Sequence, residues 1–330
     1  MPKTVLVPVD GSSFAEHALP YALGIAHRTD ATLHLALVHI VSDRMSPSYP
    51  YAEAVAAREA EQRDRDAAYM EELAARLRSA GVTVQPALLR GNVGAELARY
   101  IADARMDGVI MTTHGRGGME RAWLGSTADS LIRHSAVPLL LIRPGSETRE
   151  AGTEIHGGFR RILAGLDGSE TAEIALRDAL ELGLADDATL IMAHIIQPPV
   201  AASSPYLPHT IQLTHDEIAA REAFMTRYLE EIERESWIGS RTTRTVVRVD
   251  YNPAPGLLGL ARELEADLVV LGTHGRGGLR RMLLGSVADK VIRTSDRPVL
   301  VHRGLGRVTR LATRVTRHET SEPAGVRVVE

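Results

Sequence analysis

The stretch Gly272-Thr-His-Gly-Arg-Gly-Gly-Leu-Arg-Arg-Met-Leu-Leu-Gly-Ser286 repeats, with few changes, Thr112-Thr-His-Gly-Arg-Gly-Gly-Met-Glu-Arg-Ala-Trp-Leu-Gly-Ser126. The step from Gly115 to Gly275 is 160 residues. Upstream, Val7-Pro-Val-Asp-Gly-Ser12 matches Ala164-Gly-Leu-Asp-Gly-Ser169, a step of 157 from Asp10 to Asp167. Downstream, Val137-Pro-Leu-Leu-Leu-Ile-Arg143 matches Arg297-Pro-Val-Leu-Val-His-Arg303. Landmarks recurring in the same order mean a tandem duplication. The copies span residues 1–143 and 159–303, with a linker at 144–158 carrying Pro144, Gly145 and Gly152 and a tail at 304–330. In the tail, Arg307, Arg310, Arg314 and Arg317 recur at near-helical spacing, but Ser321, Pro323 and Gly325 favour disorder.

Within each copy, apolar runs alternate with helical patterns. Leu6–Val9 reads as a strand buried on both faces, although Pro8 removes a ladder donor. A helix over 13–28, expected to kink at Pro20, leads to a second strand at 33–41. A long charged helix over 52–79 precedes a strand at 82–89. A helix at 95–104, a strand at 108–113, a helix from Ser126 and a strand at 138–142 complete the copy. This alternation predicts an α/β fold of two tandem, doubly wound, parallel five-stranded sheets with helices on both faces.

The chain of 330 residues has an ordinary balance, 44% hydrophobic and 24% charged, and a net charge of −4 that gives no sign of nucleic-acid binding. Zero cysteines exclude thiolate chemistry and cysteine-ligated metals. No apolar run approaches the ~20 residues a membrane helix needs, and the N-terminus lacks a leader pattern, so a cytoplasmic location is expected. The two lysines, Lys3 and Lys290, stand outside any G-x-x-x-x-G-K-[ST] frame.

In open α/β sheets, ligands bind beyond the carboxyl ends of strands where the strand order reverses. Asp10 ends the first strand, and the glycine loop follows the fourth. Gly115, Gly117 and Gly118 permit close backbone approach, and exposed N–H groups there form an anion nest. Ser126 and Ser286, each three residues before an aspartate, match a capping box and open helices whose N-termini favour phosphate. Arg116 and Arg276 add positive charge. Asp10 suits an N–H donor, such as the amino group of adenine. Each residue also has a plainer reading: the glycines as turn formers, the serines as simple caps, Asp10 as a helix cap. His114 and His274 are structural on this reading, because no partner at triad or metal spacing accompanies them. His39 and His194 read as packing residues.

G-x-x-G, nine residues, then G-[ST] resembles the ATP-binding pattern of the universal stress protein family. The second copy carries it in full, as Gly272, Gly275, Gly285 and Ser286; the first has Thr112 in the leading place, then Gly115, Gly125 and Ser126. The resemblance implies a strand order of 3-2-1-4-5 and contact through the last strand, as a pseudo-dimer of the two copies with a homodimer as a further option. It also implies ATP with Mg2+ as the bound group. Carried over, Asp10 and Asp167 meet adenine, and Ile40 and Ile195, each after a histidine, flank the base. Gly91 borders the ribose. Thr112, the loops Gly115 to Gly118 and Gly275 to Gly278, and the Gly125–Ser126 and Gly285–Ser286 pairs hold ribose and phosphates. Two departures stand out: Thr112 adds a side chain to the first site, and Tyr251 and Ala254 stand where the first copy has Gly91 and Gly94. The function implied is an ATP-binding regulator that acts through conformation or partner binding. A slow ATP hydrolase or phosphotransferase and a nucleotide-free dimerisation scaffold remain open. Glu120 and Arg280, at equivalent loop positions, do not supply a shared catalytic base.

Overall fold

The computed structural model describes residues 3–40, 52–113, 124–143, 158–182, 188–198, 215–235, 237–273 and 284–303. The first copy runs β1 (Thr4–Val9), α1 (Ser13–Glu16), α2 (Leu19–Thr29), β2 (Thr32–His39), α3 (Ala52–Ser79), β3 (Val84–Arg90), α4 (Val93–Asp103), β4 (Gly108–Thr112), α5 (Ser126–His134) and β5 (Leu139–Ile142). The second runs β6 (Arg161–Gly165), α6 (Glu170–Glu181), β7 (Thr189–Ile196), α7 (His215–Glu233), β8 (Thr242–Val249), α8 (Pro253–Glu263), β9 (Leu268–Gly272), α9 (Ser286–Thr294) and β10 (Val299–His302).

The strands join in one ten-stranded sheet, β3-β2-β1-β4-β5-β10-β9-β6-β7-β8. Each half keeps the expected order 3-2-1-4-5, but the expected two sheets are one. The reason is the pairing of β5 with β10, antiparallel, through Leu141↔Val299, Leu140↔Leu300 and Leu139↔Val301. Under the 160-residue step this set of pairs maps onto itself, so a local two-fold axis passes through the Leu140–Leu300 pair. Every other strand pair is parallel.

An axis normal to the sheet puts equivalent helices on the same face. Alternation in β5 shows this directly: Leu140 and Ile142 join one apolar layer, Leu139 and Leu141 the other. The first layer packs α2, α3, α6 and α7 through residues such as Ile25, Leu73, Leu176 and Leu229. The second packs α4, α5, α8 and α9 through Leu97, Leu131, Leu257 and Val291. Both layers run through both copies. Lys3 on the first copy pairs with Glu181 at 3.1 Å, and the ring of Tyr21 stacks on Phe159 at 6.1 Å.

Two prolines distinguish the first copy from the second. Pro20 does not kink a single helix. It sits in the first turn of α2, after a break between α1 and α2, where a missing N–H costs nothing. The second copy has Arg177 at that place and one unbroken α6. Pro8 is tolerated in β1 for a related reason. Asp107 donates its N–H to the Thr4 carbonyl, so Thr4, Leu6 and Pro8 turn their peptide groups toward β4. The β1·β4 ladder ends at Leu6↔Val109, whereas Gly165, in the place of Pro8, carries the second copy's ladder on to Leu271. In the first copy, pairing between β1 and β4 therefore stops two residues sooner at their carboxyl ends.

Candidate functional site

Where β1 leaves toward β2 and β4 lies on its other side, the sheet order reverses; β6, between β7 and β9, is the second such point. Asp10 and Asp167 stand just past these strands. In each, Oδ1 accepts from the backbone N–H of the serine two residues on, Ser12 at 3.0 Å and Ser169 at 3.1 Å. The serine hydroxyls donate to the same oxygens, at 2.6 Å and 2.5 Å. Ser12 and Ser169, not the aspartates, cap the following helices by accepting from Ala15 and Ala172. The aspartates are thus fixed in orientation by a local turn, with Gly11 and Gly168 at φ 77° and 79° supplying the left-handed bend.

Across each switch point, α5 and α9 begin. The N-caps are Gly125 and Gly285, so Ser126 and Ser286 are the first helical residues and the expected capping box does not form. Being glycine, neither N-cap residue offers a side-chain hydrogen bond to its helix. Asp129 and Asp289 turn instead to Arg133 and Arg293, each at 2.8 Å. The Arg133 guanidinium holds the Asp129 carboxyl below the usual carboxylate range. Gly125 and Gly285 donate to the carbonyls of Thr113 and Thr273, which ties each helix start to the end of β4 or β9. The remaining amides of the first turn stand at the positive end of a nine-residue helix. Gly115, Arg116, Gly117, Gly118, Gly275, Arg276, Gly277 and Gly278, with His114 and His274, lie outside the described residues.

Thr112 and Gly272 occupy matching places at the ends of β4 and β9, but their surroundings differ. A Cβ at Gly272 would stand 2.9 Å from the Ala172 backbone nitrogen and 3.0 Å from Thr171. That glycine admits close packing of α6 on β9, and the added methyl would point at a helix. Thr112 is buried in the first copy, where the helix after β1 is the four-residue α1 rather than the twelve-residue α6. Gly94 is likewise a packing residue: a Cβ there would meet the Ser130 side chain of α5 at 2.6 Å. Ala254, in the first turn of α8, is buried in the second apolar layer. Gly91 holds φ 132°, beside Glu96.

Strand register corrects one sequence pairing. Val9 pairs Leu37 in the first copy, and Gly165 pairs Ala193 in the second. With Pro8 and Gly165 equivalent, Ala36 matches Ala193, Leu37 matches His194, Val38 matches Ile195 and His39 matches Ile196. Ile40 and Ile195 are therefore not counterparts. Ile40 is 70% exposed at the crevice mouth. Ile195, like Val38, packs against the second apolar layer. Gln197 takes the place of Ile40, a position that sequence comparison missed because the His-Ile pair aligns by letter two residues out of register. Nor is His39 simply packed: its Nδ1 lies 2.9 Å from Asp66 of α3, both buried, and Gln62 donates to the other Asp66 oxygen at 2.7 Å. His194 Nδ1 lies 2.7 Å from the Leu166 carbonyl.

The donor set fits an adenine nucleotide in kind: an oriented carboxylate for an amino group, and helix-start amides for phosphate. Among the described residues no group of three or more His, Asp or Glu side chains gathers as a metal site, so Mg2+ fits only as an ion brought in on phosphate oxygens. No described helix is long and apolar enough to cross a membrane.

Known proteins share this plan. A universal stress protein of Mycolicibacterium smegmatis is 28% identical over 312 residues, covering 91% of this chain and 96% of its own. One from Mycobacterium tuberculosis is 27% identical over 306 residues, with 91% and 96% covered. The crystal structure of a universal stress protein from Archaeoglobus fulgidus aligns with a TM-score of 0.63 at 18% identity, covering 91% of this chain and 98% of that one. The model of the universal stress protein family matches residues 1–143 and again 158–303, and the chain belongs to that family.

Proposed function

We propose that this chain binds ATP in two crevices, one per copy, and acts as a nucleotide-dependent regulator of a stress response. The observation that carries this reading is the placing of two chemically different ends at each switch point. A turn-locked carboxylate, Asp10 or Asp167, ends one strand of the switch point, and a helix with a glycine N-cap, α5 or α9, starts from the end of the neighbouring strand, β4 or β9. A ligand with an N–H donor at one end and phosphate at the other suits that pairing. Mg2+, if it accompanies ATP, would neutralise charge between phosphates, while the chain's own residues bind and orient. Ser126 and Ser286 offer a hydroxyl and an amide at the helix start. Asp10 and Asp167 select the base.

Binding of ATP and GTP to the full chain by isothermal titration calorimetry tests this. Asp10→Ala should lower the preference for ATP over GTP at one site by about tenfold, the scale of one lost charged hydrogen bond. It should leave the other site unchanged. An ATP-to-GTP ratio untouched at both sites would remove Asp10 from the base end.

A further inference from the structure

We propose that the two crevices read the base differently, and that Gln197 is the residue that makes the second one more selective for adenine. This rests on the nucleotide reading above and assigns a specificity residue within it. By strand register, Gln197 stands where the first copy has Ile40, one residue beyond the carboxyl end of the strand next to the switch point. Ile40 offers apolar surface only, and it is 70% exposed. Gln197 offers a carboxamide, and the fold holds it in place: Nε2 donates to the Tyr251 carbonyl at 3.1 Å. The side chain thus spans from the end of β7 to the turn between β8 and α8.

That turn is itself altered. In the first copy one residue, Gly91, joins β3 to the cap Asn92, and it needs φ 132° to do so. In the second copy two residues, Asp250 and Tyr251, join β8 to the cap Asn252, and neither has a positive φ. Asp250 folds back to accept from the Asn252 N–H at 2.7 Å. Tyr251 projects outward, 62% exposed. The extra residue thus brings the carbonyl that Gln197 needs and an aromatic ring beside it.

The chemistry of the remaining amide sets the preference. With one Nε2 hydrogen committed, Gln197 keeps one N–H donor and a carbonyl acceptor. Adenine presents an acceptor, N7, beside a donor, N6, which complements that pair. Guanine presents N7 beside O6, two acceptors, and would set O6 against the amide oxygen. Tyr251 stacks on either purine and adds affinity without choice.

The test is calorimetric titration of the full chain with ATP and with GTP. Gln197→Ile, an exposed change that copies the first crevice, should cut the ATP-to-GTP ratio of one site about tenfold and leave the other alone. Tyr251→Gly should weaken both nucleotides at one site; by loosening the same turn it should also narrow that site's ratio. Two ATP sites whose ratios ignore Gln197→Ile would overturn the assignment while leaving nucleotide binding intact. A wild-type chain that takes up no ATP at either site would overturn both.

Discussion

At the scale of single residues, equivalent positions in the two copies do different work. Gly272 shows this best. A threonine there, copying Thr112, would drive its Cβ against the backbone of α6, which has little room to shift. We expect Gly272→Thr to destabilise the protein by ~1–3 kcal/mol, the usual cost of overpacking, seen as a lower Tm in thermal denaturation. An unchanged Tm would mean that α6 does not sit as closely as described. The signature glycine was legible in the sequence as a turn former, but its use in helix packing was not, because packing depends on where α6 begins. His34 gives a pH test. It is buried on β2 against the Tyr100 hydroxyl at 2.8 Å, and burial holds its pKa below the ordinary imidazole value. The unfolded chain then takes up a proton at a higher pH than the folded one. The His34 contribution to stability should be constant above about pH 6.5 and turn destabilising as the pH drops below it. His34→Ile, which copies Ile191 of the second copy, should make that fall shallower when Tm is followed from neutral to mildly acidic pH. A slope identical to the parent's would exclude His34 as a source.

At the scale of elements, the order of strands and helices was readable from alternation alone, and most boundaries lie close to expectation. Alternating apolar runs and glycine-bounded helices carry that information locally. Three features were not local. The break between α1 and α2 depends on how Pro20 is best used, at a helix start rather than inside one. Register between β1 and β2 decides that Ile40 answers to Gln197, and no pattern of letters within either segment states it. The expected serine caps are glycines, Gly125 and Gly285, and the carboxylates of Asp129 and Asp289 pair with arginines a turn later. Pro8 belongs to this scale too. Pro8→Gly, copying Gly165, should restore an N–H toward β4 and let the ladder extend past Leu6. We expect the added amide to show slow hydrogen exchange. A residue 8 amide that exchanges as fast as an exposed one would show that the ladder ends for another reason.

At the scale of the whole molecule, one sheet with two shared apolar layers makes the copies a single unit. The residue pattern announced two domains; their union through the last strands was implied by the family resemblance alone, since β5 and β10 read as ordinary buried strands until they are placed side by side. A chain ended after residue 143 would leave β5 as an apolar open edge built from Leu139–Ile142. Such a half should self-associate through β5 around Leu140, because the native axis already passes through that position. Analytical ultracentrifugation should find it dimeric and the full chain free of association through that edge. A monomeric, well-folded half would argue that the shared layers contribute little. The central claim, two nucleotide crevices per chain, has its most direct measurement in the protein as purified and then saturated with ATP: nucleotide released on denaturation, identified and counted per chain. The account predicts adenine nucleotide approaching two per chain; a chain that emerges empty and stays empty at millimolar ATP would contradict it.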